Sequence, residues 1–211
     1  MQAEDLLEKL EEGLTFLGED PQSHPCQTYL DYLSLLSKWN RAYNLTAVRD
    51  LDNMLTHHVL DSLAVLPYIQ GSECLDVGSG AGLPGLILAL ARPQQHWCLL
   101  DSNGKKVRFM KQALLELLPA NVSVIQSRIE DYQPSIRYST IVSRAVGMTL
   151  PVFYKRVMPM LQGQGRAIVM KGTRPEPELS ELQAAGIAFE LAALNIPGLN
   201  KQRHLVVIYG D

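Results

Sequence analysis

Leu75–Gly85 reads LDVGSGAGLPG, an apolar, strand-like lead that runs into glycines at 78, 80, 82 and 85 and a proline at 84. Bare backbone at the end of a strand serves a nucleoside triphosphate, a dinucleotide or the amino-acid end of S-adenosylmethionine. A triphosphate loop needs Lys-Ser or Lys-Thr after its second glycine. Here Leu86 follows Gly85, which removes that reading. Gly80, Gly82 and Gly85 meet the dinucleotide pattern G-x-G-x-x-G, but a lone match of that kind is weak. Asp76, two residues before Gly78 and inside the strand, shifts the balance. A carboxylate there repels a pyrophosphate and suits a cationic amino group such as the α-ammonium of methionine. Pro84 lies in the turn into the next helix, where its missing N–H costs little.

Asp101 ends the next apolar run, 21 residues beyond Gly80. A carboxylate in that place accepts both ribose hydroxyls of an adenosine ligand. In SRIEDY, Glu130 and Asp131 follow a third apolar run and offer polar groups to an adenine edge. Three acids at successive strand ends around a glycine loop favour a methyl donor over a dinucleotide.

The rest of the chain supplies the frame. Leu6, Leu7, Leu10, Leu14 and Leu17 recur at helical spacing, as do Tyr29, Leu33, Leu36 and Trp39. A third helix is expected from about Asp50 to Leu66, closed by Pro67. From Glu73 onward, short apolar runs alternate with helix signals: ECLDV, HWCLL, VSVIQ, TIVSRAV and GRAIVMKG read as strands. The helix KKVRFMKQALLELL sets Val107, Met110, Leu114, Leu117 and Leu118 on one stripe. This alternation predicts a mainly parallel sheet with helices on both faces. The last segment, residues 188–210, holds two strands around a Pro-Gly-Asn turn region, which should pair antiparallel and put an antiparallel edge on the parallel sheet. The expected organisation is a helical N-terminal extension over residues 1–70 and one compact α/β unit over residues 71–211.

At 211 residues, 46% apolar and 19% charged, the composition is that of a globular core. No apolar run is long enough to span a membrane. The acidic, helix-patterned N-terminus does not read as a secretion signal. Three widely spaced cysteines (Cys26, Cys74 and Cys98) form no CxxC site and suit a reducing compartment, so a cytoplasmic protein is expected. Residues 1–20 hold seven acids and one base, a net of −6 that leaves +3 on the remainder of a chain whose total is −3. That mildly basic body is compatible with a polyanion partner.

NRAYNLTAVRD, HHVLDSL, LDVGSGAGLPG, LLDSNGKKVRFM, QSRIEDY, SRAV, MKG and RHLVVI occur in the order found in the bacterial small-subunit ribosomal RNA guanine-N7 methyltransferases, the glucose-inhibited division protein B family, which the chain resembles over roughly residues 30–210. The resemblance implies a class I, Rossmann-like methyltransferase fold with a seven-stranded sheet, one strand antiparallel, and a small helical extension. It implies S-adenosylmethionine as cofactor, S-adenosylhomocysteine as product, and guanine N7 of 16S ribosomal RNA, free or in the small subunit, as target. Carried across, its cofactor contacts fall on Gly78, Leu83, Ile129, Glu130 and Arg144, beside Asp76, Gly80 and Asp101 from the pattern itself. His57 stands where the family commonly has Arg or Lys beside the histidine of HxLDS, which puts one RNA contact in doubt.

Guanine N7 carries a lone pair and no proton, so no general base is needed and no catalytic residue is assigned; in-line positioning is the expected device. Arg128, Arg144, Lys171, Arg174 and Arg203 lie near expected strand ends and are candidates to hold RNA phosphates, with Asn44 and Tyr43 near the cofactor mouth. Trp39 reads as core. His57 and His58, adjacent on a helix, should point apart and lack the i, i+4 spacing of metal ligands, so no metal is expected. A monomer with no membrane contact is expected. Two other readings stay open from the residues: an NAD-linked oxidoreductase, and a non-catalytic assembly factor that keeps the cofactor fold.

Overall fold

The computed structural model describes residues 3–144 and 147–210. Helices α1 (Ala3–Phe16) and α2 (Cys26–Tyr43) lead into α3 (Leu51–Met54), which widens into a π-helical stretch (Leu55–Leu60) and closes as α4 (Asp61–Leu63). Strands and helices then alternate: β1 (Glu73–Val77), α5 (Gly85–Ala91), β2 (His96–Asp101), α6 (Gly104–Leu117), β3 (Val122–Gln126), β4 (Tyr138–Arg144), α7 (Leu150–Val157), β5 (Leu161–Lys171) and α8 (Glu176–Ala184). A hairpin of β6 (Phe189–Leu194) and β7 (Arg203–Tyr209) ends the chain. The single sheet has the order β3-β2-β1-β4-β5-β7-β6.

The alternation of side chains divides the core into two layers. Cys74 of β1, Trp97 and Leu99 of β2, and Leu205 and Val207 of β7 face one side, where α1 to α6 pack. Leu75, Val77, Cys98, Leu100, Val206 and Ile208 face the other, under α7 and α8. Leu10, Leu14, Leu33 and Leu36 are fully buried in the first layer. The leading helices therefore share a core with the sheet. Caps set their limits: Asp50 accepts the Asn53 amide at 2.9 Å, and Asn44 ends α2 in the left-handed conformation.

Three expectations need correction. The C-terminal strands do pair antiparallel, but the antiparallel strand is not at the edge. β7 is inserted between β5 and β6, and β6 forms the edge parallel to the other strands. Burial explains the choice: Leu205–Ile208 is a continuous buried run, whereas no residue of β6 is fully buried. Leu118 leaves the α6 stripe, because it caps the helix at φ 52° and is exposed. The third helix is not uniform, since its middle is π-helical. Of the run TIVSRAV, Ala145 and Val146 lie outside the described residues. Trp39 does pack on the core, stacked on Tyr43 at 5.1 Å and edge-on to Phe109 at 5.8 Å. No helix among the described residues is long and apolar enough to cross a membrane.

At Gly85, β1, β2 and α5 pack with no room for a side chain. A Cβ there would lie 2.5 Å from Leu99 Cδ2 and 2.6 Å from Asp76 Cβ. Gly85→Ala is predicted to cost about 1–3 kcal/mol in urea unfolding, whereas Gly163→Ala, with nothing within 4 Å of the new methyl, should stay within about 0.5 kcal/mol.

Candidate active site

The loop after β1 is held at three points. Gly78, Gly80 and Gly82 have φ of 72°, 62° and 87°, a region costly for any side chain. At its far end the Gly85 amide donates to Asp76 Oδ2 at 2.8 Å. In its middle the Gly80 amide donates to Asp101 Oδ2 at 2.8 Å. From above, the Tyr32 hydroxyl on α2 donates to the Ala81 carbonyl at 2.8 Å, fully buried. The sequence reading missed Tyr32, because nothing in the spacing of an apolar helical stripe tells which member carries a needed hydroxyl.

Asp76 has no accessible surface and does not line the open cleft. Its Oδ1 is buried without a partner. Burial raises its pKa to about 7, against the Gly85 amide, Ser79 and the charge of Arg144, which favour the carboxylate. Asp101, at the end of β2, is fixed by two amides, since Asn103 N–H donates to Oδ1 at 2.8 Å. Leu83 is buried beneath the loop.

Two hollows open at the carboxyl ends of the strands. The first, about 280 Å³, is lined by Gly78, Asp101, Arg128, Ile129, Glu130 and Met148 among others. The second, about 320 Å³, is lined by Val48, His57, His58, Asp61, Arg144, Met170, Lys171, Gly172 and Arg203. They are neighbours: Val77 of β1 pairs with Ser143 of β4, so Gly78 and Arg144 follow side by side. Of the expected residues, Gly78, Asp101, Arg128, Ile129 and Glu130 meet in the first hollow, and Arg144, Lys171 and Arg203 in the second.

Charge in the second hollow is ordered by Asp61, which is 1% exposed. Its Oδ1 accepts Arg203 Nε at 3.0 Å and its Oδ2 accepts Arg144 Nη1 at 3.4 Å. Arg144 also donates to the His57 carbonyl at 3.1 Å. Lys171 is paired with Glu178 of α8 at 2.9 Å, which neutralises much of its charge. Arg174 pairs with Glu176 and lies on neither hollow. Asn44 is outside both, capping α2 and accepting from Arg49 at 3.0 Å. The two histidine rings take different partners, His57 Nδ1 the Asn53 carbonyl at 2.9 Å and His58 Nε2 the Thr46 hydroxyl at 3.0 Å, the second ring buried. In the π-helical turn both reach the wall of the second hollow.

The sheet order, the single antiparallel strand and a glycine loop between β1 and α5 define a class I methyltransferase, the fold of S-adenosylmethionine-dependent enzymes. The glycopeptide N-methyltransferase MtfA complexed with S-adenosylmethionine superposes with a TM-score of 0.64 over 73% of this chain and 87% of that one, at 10% identity. The precorrin-6y C5,15-methyltransferase of Geobacter metallireducens gives 0.59 over 81% and 93%, at 14% identity. The chain belongs to the GidB family, rRNA small subunit methyltransferase G, whose family model matches residues 25–206. It is 43% identical over 203 residues to the ribosomal RNA small subunit methyltransferase G of Coxiella burnetii strain CbuG_Q212, covering 96% of this chain and 98% of the relative. The protein of that name from Alkalilimnicola ehrlichii is 45% identical over 206 residues, covering 98% and 93%. Membership displaces the oxidoreductase and assembly-factor readings.

The residues present fit the adenosyl cofactor of that fold. A methyl group added to Gly80 would meet nothing closer than 3.9 Å, so the loop backbone is open to close approach. Asp101 offers a carboxylate oriented by two amides at the mouth of the first hollow.

The raised pKa of Asp76 has a measurable sign. The unfolded chain releases this proton near pH 4, whereas the folded chain holds it up to about pH 7. The native state thus binds more protons across that window, and its contribution to stability is lost as pH rises through it. Asp76→Asn is predicted to flatten the fall in urea-measured stability of the free protein between about pH 4 and 7; an unchanged slope would mean that Asp76 is already ionised in the fold.

Proposed function

We propose that this chain transfers the methyl group of S-adenosylmethionine to N7 of a guanine in small-subunit ribosomal RNA. The observation that carries the reading is the pairing of two hollows on one sheet edge, with Gly78 at the border of one and Arg144 at the border of the other. The relatives named for small-subunit ribosomal RNA methylation support the substrate class.

In this reading Gly78, Gly80, Asp101, Ile129 and Glu130 hold the donor. Asp101 takes the ribose hydroxyls. Ile129 and Met148 meet the adenine faces and Glu130 its polar edge, while Asp76 and Leu83 support the loop from below. Bound there, S-adenosylmethionine supplies an electrophilic methyl carbon on a positive sulfur. The second hollow takes the base. Arg203 and Arg144 engage flanking phosphates, with Lys171, Arg128 and Asn44 further out. N7 needs no base to deprotonate it, so the residues orient and exclude water. The acceptor edge of a paired guanine lies in the deep groove of A-form RNA, so the target is unpaired or extruded.

Small subunits lacking the modification, incubated with methyl-labelled S-adenosylmethionine, should take up label and gain one cleavage site after borohydride and aniline treatment, which cuts at N7-methylguanosine. Label without cleavage would move the methyl to another atom; no label on active subunits would contradict the reading. Arg203→Ala should raise KM for subunits about tenfold and lower the salt slope of log KM by about one. Lys171→Ala should do less, because Glu178 already neutralises it.

A further inference from the structure

One polar group in the second hollow lacks a partner. His58 is 4% exposed and lines the hollow beside Arg144. Its Nε2 lies 3.0 Å from Thr46 Oγ1, while Nδ1 is buried with no hydrogen-bond partner. The His57 carbonyl, which comes close enough to the ring to pull its pKa upward, accepts Arg144 at 3.1 Å and does not reach hydrogen-bond geometry at Nδ1. A buried polar group left unpaired is costly, and where it borders a binding hollow the missing partner is one that a ligand brings. The π-helical turn that sets His58 there is itself a rare feature that recurs at functional sites.

The protonation of the ring follows from its neighbours. Thr46 Oγ1 accepts the Val48 amide at 3.2 Å, and its own hydrogen has His58 Nε2 as its acceptor. Nε2 is then the bare nitrogen, and Nδ1 carries the hydrogen. The ring is neutral at physiological pH, because burial and, after it, the charge of Arg144 lower its pKa to about 4, with the His57 backbone pulling the other way. The hollow thus holds a neutral N–H donor of fixed tautomer beside two guanidinium groups.

We propose that His58 determines the choice of base, its Nδ1–H donating to O6 of the guanine whose N7 receives the methyl group. The inference rests on the reading of the previous subsection. Guanine presents two acceptors side by side on this edge, N7 and O6, whereas adenine sets an amino donor beside N7. A fixed donor pairs with O6 and meets the adenine amino hydrogens head on, leaving both unpaired. Its neutrality matters as well: the donor holds O6 without placing another positive charge beside a nitrogen that must attack a sulfonium carbon. Arg144 and Arg203, tied to Asp61, are engaged with a carboxylate and left to meet phosphate.

The test is a double-mutant cycle across enzyme and RNA. The target guanine is replaced by 2-aminopurine, which keeps N7 and lacks O6, and both RNAs are assayed with the native enzyme and with His58→Leu. Loss of O6 alters N7 reactivity equally with either enzyme, so that effect cancels. The native enzyme should lose at least about tenfold more kcat/KM on this replacement than His58→Leu does. His58→Gln, whose amide can donate, should recover part of the difference. Thr46→Val, which keeps the ring and frees its tautomer, runs the same cycle without touching His58 and should also narrow the gap. Equal losses with native, His58→Leu and Thr46→Val enzymes would overturn the assignment. Because native enzyme on native RNA is the reference arm, failure of the methylation reading itself would appear separately, as no N7 product there.

Discussion

The hydrogen bond from the Gly85 amide to Asp76 joins the last turn of β1 to the first turn of α5 and closes the glycine loop between them. Asp76 must be buried to reach it, and Gly85 must be glycine, because a Cβ would collide with Asp76 and Leu99. Once the loop is closed, its inner amide at Gly80 faces Asp101 on the neighbouring strand. One constraint therefore sets both the mouth of the first hollow and the orientation of the carboxylate that borders it. Its cost is a carboxylate in the core with one oxygen unpaired.

The leading helices complete what the sheet begins. α2 sends Tyr32 onto the Ala81 carbonyl, at the middle of the loop. The π-helical segment and α4 supply His57, His58 and Asp61 to the second hollow. Asp61 is a buried acid between arginines from two different strands, β4 and β7. Such a carboxylate adds little net stability, yet removing it would leave both guanidinium groups without their shared acid and on backbone carbonyls alone. The second hollow is thus built jointly by the helical segment and the α/β unit, and the first is lined by the α/β unit while Tyr32 braces its loop.

The strands were legible because their apolar runs are short, separated by turn residues and regular in spacing. Asp76, Asp101 and the glycines were legible because the chemistry of a loop at a strand end narrows the residue types that can stand there. The place of β7 was not. A hairpin in sequence does not tell which of its strands meets the sheet, and only the comparison of burial between the Leu205–Ile208 run and β6 decides it. The π-helical turn was not legible either, since no residue in LTHHVL announces it. The pairing of Lys171 with Glu178 was equally hidden, since it joins β5 to a helix whose orientation the sequence does not state.

In the proposed arrangement the first hollow holds the donor and aims its methyl group at the second. A crystal structure with S-adenosylhomocysteine and a guanosine nucleotide bound tests this most directly. The expected complex has ribose hydroxyls on Asp101, the sulfur at the border between Gly78 and Arg144, and the guanine between Arg144 and Arg203 with N7 toward the sulfur. A nucleotide seated away from Arg144 and Arg203, or a sulfur facing away from them, would contradict it.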